Sequence, residues 1–201
     1  MSVNLQKGQK VDLTKGNKGL KKVMVGLGWD EARKGGLLGL FGGGQDIDCD
    51  AMAFLLGEDG KITSKRDVIF YNNLRHYTGS VVHQGDNLTG AGEGDDEQIL
   101  LDLAALPAKI QREVMLVSIY EADKRKQHFG MIRNAFIRLV DAEKRQELCI
   151  YNLSENYDGM RSMIFGEVYR HNGEWKFSAI GQPLSEWSVT DLARRYGLVW
   201  R

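Results

Sequence analysis

A chain of 201 residues with 42% apolar content has the material for one sizeable core, and its 27 basic residues balance its 27 acidic ones. That neutral balance excludes the general basic footprint of a nucleic-acid-binding protein, and no run of about 18 apolar residues is present to span a bilayer. Residues 1–7 carry no apolar stretch of a secretory signal, and the lone cysteines Cys49 and Cys149, without a C-x-x-C spacing, fit a reducing, cytoplasmic setting.

In chain order, residues 22–29 (KVMVGLGW) read as a strand, with Asp30 at its end. Residues 34–45 hold six glycines and are expected as a mobile loop over one end of the fold. Cys49–Leu56 is a short, nearly continuous apolar strand, and Ile99-Leu100-Leu101 returns to a strand after a polar stretch. Residues 103–110 have room for a short helical turn, limited by Pro107. Residues 113–120 (EVMLVSIY) are rich in strand formers, whereas 124–132 are ambiguous between helix and loop. Residues 134–140 alternate, and join 147–153 through a charged stretch in which Asp141 is expected to be solvated. Residues 163–169 and 174–180 flank Asn172-Gly173, a strong hairpin turn signal. Residues 188–196 place Val189, Leu192, Ala193 and Tyr196 on one helical face, with Gly197 as a stop. Short strands at this spacing predict a mainly antiparallel β-sandwich with a few short helices, and a single domain over residues 1–201.

The acid is unevenly placed. No Lys or Arg lies between Lys34 and Lys61, where Asp46, Asp48 and Asp50 alternate; none lies between Arg75 and Lys109, which holds Asp86, Asn87, Glu93, Asp95, Asp96, Glu97 and Asp102. Carboxylates crowded without a cation repel one another, and Gly-broken, oxygen-rich loops are what Ca²⁺ binds. In an extended segment Asp46, Asp48 and Asp50 project to one side, towards one ion. The segment is not an EF-hand, because the sixth and twelfth positions are Ala51 and Gly57; alone it is equally a solvated acidic turn. Residues 85–97 supply glycines, Asp86, Asn87, Asp95, Asp96 and Glu97. Oxygen ligands with only His83 nearby favour Ca²⁺ over zinc or copper, and two such windows offer more oxygens than one ion's six to eight, so two ions are expected.

Other chemistry has little support. His76, His83, His128 and His171 are scattered and read as surface or turn residues. Gly26-Leu27-Gly28 opens like a dinucleotide fingerprint but fails at its sixth position, Glu31, and no phosphate loop is present.

With these residues quoted, the chain resembles the TerD family of tellurium-resistance and general-stress proteins. The resemblance runs from Leu5-Gln6-Lys7-Gly8 and Gly26-Leu27-Gly28-Trp29-Asp30 through Asp46-Ile47-Asp48, Phe70-Tyr71-Asn72-Asn73, Gly85-Asp86-Asn87 and Gly94-Asp95-Asp96-Glu97 to Phe165-Gly166-Glu167-Val168-Tyr169. It implies a β-sandwich that binds Ca²⁺ in acidic loops at one end, through Asp46, Asp48, Asp86, Asn87, Asp95, Asp96 and Glu97, and at its margin Asp30 and Asp50. The glycine-rich stretch 35–44 is longer than the family pattern. The resemblance implies a non-enzymatic, Ca²⁺-dependent interaction module, partnered by other proteins of a stress-response complex or by a membrane surface, with no nucleic acid. The alternative is an enzyme, either a metal-dependent hydrolase or a thiol-based tellurite reductant using Cys49 or Cys149.

Overall fold

Alternation of side chains sorts nearly every strand into two faces, and two sheets result. The computed structural model describes residues 2–31, 47–85, 94–153, 155 and 157–200. Its strands are β1 (Val3–Leu5), β2 (Lys10–Asp12), β3 (Lys22–Glu31), β4 (Cys49–Leu56), β5 (Val68–Ile69), β6 (Val81–His83), β7 (Glu97–Asp102), β8 (Arg112–Ile119), β9 (Ile132–Asp141), β10 (Gln146–Asn152), β11 (Ser162–His171) and β12 (Glu174–Leu184). They form two six-stranded sheets, ordered β1-β10-β9-β3-β7-β6 and β2-β12-β11-β8-β4-β5. Among the described residues, only the β1–β10 pairing is parallel.

Between the sheets lies the main core, including Val25 and Leu27 of β3, Ile99 and Leu101 of β7, and Ala51, Ala53 and Leu55 of β4. The other face of β4, Met52, Phe54 and Leu56, is covered by helix α2 (Val189–Arg195) through Leu192 and Ala193. Burial on both faces explains why residues 49–56 read as a continuous apolar run. Ser188 caps α2 by accepting the Asp191 N–H. The β11–β12 hairpin turns at Asn172 and Gly173, both at positive φ (53° and 79°), the pattern of a type I′ turn.

Several expectations change. Asp141 is not solvated: its carboxylate is buried and accepts the N–H groups of Glu143 and Lys144, closing the β9–β10 turn. The ambiguous 124–132 region holds a single helical turn, α1 (Ala122–Arg125), followed by a 3-10 turn at Phe129–Met131. Residues 103–110 form successive hydrogen-bonded turns, Leu106 N–H to Asp102 C=O and Ile110 N–H to Pro107 C=O. The glycine-rich segment 34–45 lies outside the described residues. Among the described residues, no helix is long and apolar enough to cross a membrane.

Candidate functional site

β3, β4, β6 and β7 bring one end of the sandwich together, and the acidic windows attach there. Gly94 to Asp96 run into β7 alongside β3: the Asp96 N–H donates to Leu27 C=O (2.8 Å), and Asp96 Oδ2 accepts the Trp29 N–H (2.7 Å). Asp96 is 7% exposed. Burial pushes its carboxyl above the usual range, the Trp29 N–H pulls it back, and the charges of Asp30 and Asp95 push it further up.

The preceding and following acids, Asp95 and Glu97, turn opposite ways: strict alternation would put them on one face, but β7 begins only at Glu97 and residues 94–96 are irregular. Glu97 points between the sheets, where its Oε2 lies 2.8 Å from His83 Nε2 and 3.3 Å from the Ala51 N–H of β4. Because His83 Nδ1 accepts the Gly85 N–H (3.2 Å), its proton sits on Nε2 and is given to the inner acceptors, Glu97 or Ala51 C=O at 3.2 Å. Glu97 and His83 therefore join the first sheet to the second.

Asp95 lies on the outer face of the first sheet and is not in a cation-free loop. Arg138 of β9 grips it with a fork, Nε to Oδ1 at 2.7 Å and an Nη to Oδ2 at 3.1 Å, and Gln98 donates to Oδ2 at 3.0 Å. The two residues are 43 positions apart in sequence, which hides the pair from a linear reading of charge. The glycines of β3 make the room: Gly26 lies under the Asp95 carboxylate and Gly28 under the Phe136 ring, places where a β-carbon would collide. Their alternation is thus a packing device and not the start of a nucleotide loop.

The remaining expected ligands are divided. Asp30 is exposed and accepts from the Asn134 amide at 2.8 Å. Asp48 has Arg125 at 3.7 Å. Asp50, buried in β4, shares the face of Met52 and Phe54, opposite that of Ala51, so it points away from Glu97. Asp46, Asp86 and Asn87 lie outside the described residues; their chain neighbours Ile47 and Gly85 lead into β4 and out of β6 at this same end. Among the described residues, no three His, Cys, Asp or Glu side chains converge so as to hold a metal ion. The donors that are in place are carboxylates, the ligand type of a hard cation, and Asp96 feels the charges of Asp30 and Asp95.

The model of the TerD domain matches residues 1–196. The chain belongs to the TerD family. It is 50% identical to the stress response protein SCP2 of Bacillus subtilis (strain 168), over 98% of this chain and 100% of that protein. It is 44% identical to the tellurium resistance protein TerD of Serratia marcescens, over 98% of both. Its fold matches the crystal structure of the unknown-function protein SAV2460 (TM-score 0.68, 23% identity, 87% of this chain and 95% of that one). It also matches a homologue of the telluride resistance protein from Streptomyces coelicolor A3(2) (TM-score 0.64, 21% identity, 85% and 94%). The TerD sandwich is therefore the scaffold that carries the acidic end.

Within this TerD domain the expectation of surface or turn histidines fails at His83, which lies in β6, whereas His76 is in a turn but buried. His83 is buried against Glu97, and His76 is buried with Asp67, Nε2 to Oδ1 at 3.2 Å, while its Nδ1 meets the Thr78 hydroxyl at 2.6 Å. Thr78, His76 and Asp67 thus have the order of a nucleophile, base and orienting acid. Thr78 also bonds Ser80 at 2.7 Å, and the group closes the tight turn in which the Gly79 N–H reaches His76 C=O. A short-range Thr-Gly-Ser turn after His76 was the available signal, but its partner Asp67 is supplied by folding. Both cysteines are buried and free, Cys49 on β4 and Cys149 on β10, in opposite sheets. Burial, then the charges of Asp50, Asp48, Glu97 and Asp96, drive the Cys49 thiol well up; burial pushes Cys149 up to about 12.

Proposed function

We propose that this TerD-family protein is a non-enzymatic Ca²⁺-binding member of the tellurium-resistance and stress-response group, with the ion site at the acidic end of the sandwich. The observation that carries the reading is Asp96: a carboxyl anchored by a backbone N–H and pushed towards protonation first by its burial and then by the charges of Asp30 and Asp95. A divalent cation relieves that repulsion. Asp96 would hold the ion, with Asp30 beside it and Asp46, Asp48, Asp86 and Asn87 joining from the two acidic segments; Glu97 braces the site through His83. Two neighbouring ions are expected. Asp95, committed to Arg138, serves by position and charge more than by direct ligation.

The ion's role is to set the acidic end for Ca²⁺-dependent docking to partner proteins of a stress complex, in the cytoplasm or at a membrane surface. The names of the relatives, stress response and tellurium resistance, support this setting. Neither enzyme reading gains an observation of its own: the thiols are raised and enclosed, and the Thr78–His76–Asp67 group is spent on a turn.

Calorimetric titration of the purified chain with Ca²⁺ tests the reading, with native mass spectrometry for stoichiometry. Uptake of two ions is expected. No uptake at millimolar calcium would refute the site; uptake of one would remove only the pairing.

A further inference from the structure

β2 is the outermost strand of the second sheet, held on one side only, by β12. Its register pairs Lys10 with Ser178, Val11 with Phe177 and Asp12 with Lys176. The ladder continues past both ends: the Leu13 N–H donates to Trp175 C=O, and Gln9 C=O accepts the Ala179 N–H, each at 2.9 Å. Bonded pairs alternate along an antiparallel ladder, so Gln9, Val11 and Leu13 turn their backbone groups towards β12. Lys10 and Asp12 turn theirs outward, and both residues are exposed. Their N–H and C=O groups make an open edge. The border strand β6 of the first sheet differs, because residues 74–76 cover it, with His76 N–H to Val81 C=O at 2.9 Å and His83 N–H to Leu74 C=O at 2.8 Å.

The side chains decide which strand fits this edge. Lys10 and Asp12 share the outer face, and Val11 turns inward against the main core. An edge carrying one sign of charge repels a copy of itself, which is a common protection of border strands. This edge carries both signs, one on each side of Val11. Asp12 Oδ1 lies 2.9 Å from the Lys176 ammonium, whose hydrogen bond draws the carboxyl below its usual range. Among the described residues Lys10 has no carboxylate partner; its ammonium stands 5.8 Å from the centroid of the Tyr169 ring.

Two antiparallel copies pair only where outward backbone groups meet outward ones. A two-fold axis at Asp12 sets aspartate against aspartate, and an axis at Lys10 sets lysine against lysine. An axis at Val11 sets Lys10 against the partner's Asp12, and Asp12 against the partner's Lys10. Each of these pairs exchanges backbone hydrogen bonds and adds an opposite-charge contact on the same face. Any strand of other sequence would leave one of the two charges unmatched.

We propose that β2 is a self-docking edge: a second copy of this chain pairs with it antiparallel about Val11, so that the second sheets of two molecules become one continuous sheet. The acidic end takes no part, and the pairing is expected in EDTA and in Ca²⁺ alike.

Sedimentation velocity of the full chain in low salt, from about 10 µM to about 1 mM, reads the association. Wild type is expected to pass from monomer to dimer over that range, and about 0.5 M salt to weaken the dimer by about threefold or more. Lys10→Glu makes both facing positions acidic, and Asp12→Lys makes both basic. Each alone should stay monomeric, whereas an equimolar mixture of the two should form a mixed dimer. Lys10→Pro removes an N–H that β12 does not use, so it should fold and stay monomeric. Amide exchange at Lys10 and Asp12 should slow as wild type is concentrated, with Val11 unchanged. Thermal melts check that each variant folds; if Asp12→Lys, which also gives up Lys176, does not, then Lys10→Glu, Lys10→Pro and the amide exchange decide. Wild type that is monomeric at about 1 mM overturns the proposal. So do variants that dimerise like wild type, a mixture of folded variants that stays monomeric, a dimer that needs Ca²⁺, or a dimer in which the Lys10 and Asp12 amides exchange as in the monomer.

Discussion

The carboxylate of Asp95 rests on the bare α-carbon of Gly26, in the place a β-carbon would occupy, and Arg138 clamps it there. Gly26→Ala should therefore evict a charged, nearly fully buried side chain and break the fork. A loss of about 2 kcal/mol or more in urea unfolding is expected, against a few tenths for Gly19→Ala, where a β-carbon meets nothing. In an Asp95→Ala background the cost of Gly26→Ala should largely vanish, because the two positions are coupled. Equal costs at Gly26 and Gly19 would sink this account.

Glu113 sets a pH dependence. It is fully buried between Leu55 and Val168, neither oxygen has a hydrogen-bond partner, and burial pushes its carboxyl up to about 8, opposed by the charge of Arg170. The folded value lies above the unfolded one of 4.5, so the folded protein holds the proton that the unfolded chain releases. Its contribution is complete below pH 4.5 and is lost as pH rises through 8, on the order of 3 kcal/mol by pH 7. Denaturation of wild type and Glu113→Gln across this range should show a difference that shrinks for wild type as pH rises. Parallel pH profiles would contradict it.

Calcium should raise the melting temperature and chelator lower it. An ion that binds only the folded state adds about 2.7 kcal/mol at a hundredfold excess over Kd. Asp96→Asn should remove most of that response, and acid should weaken it by protonating the ligands. Asp141→Ala should act differently: burial pushes the Asp141 carboxyl up but its contacts with Lys144 and Glu143 bring it below the usual range, so its loss costs stability in both buffers and leaves Ca²⁺ affinity intact. An Asp141→Ala variant as poor in Ca²⁺ binding as Asp96→Asn would move the site elsewhere.

The thiols should be inert in the folded state. Cys49 and Cys149 are buried, uncharged at neutral pH and on different sheets. A chromogenic disulfide reagent should modify them at the rate of unfolding, and quickly in denaturant. Replacing both with Ser should leave tellurite tolerance in cells unchanged; its loss, in a variant that still folds and binds Ca²⁺, would restore the thiol reading.

Sequence patterning conveyed the sandwich because strands such as β9 alternate, and because Asn172-Gly173 can turn a hairpin without strain. β1, β2, β5 and β6 are two or three residues long, too short for periodicity; neighbouring strands define them. The acid segregation was visible in the chain. What could not be seen were the cations that folding brings back, Arg138 to Asp95 and Arg125 to Asp48, or that Asp50 points out of β4 on the face opposite the one where Ala51 meets Glu97.

β1 is the outermost strand of one sheet, and β2, five residues on, is the outermost strand of the other. One short ribbon thus seals two borders. Losing it, by proteolysis or truncation, would bare the backbone of β10 and β12 together and offer two adhesive seams on one flank. A clipped molecule would then find its easiest replacement ribbon in another molecule, so damage to a dozen residues would be read out as polymerisation and not as unfolding.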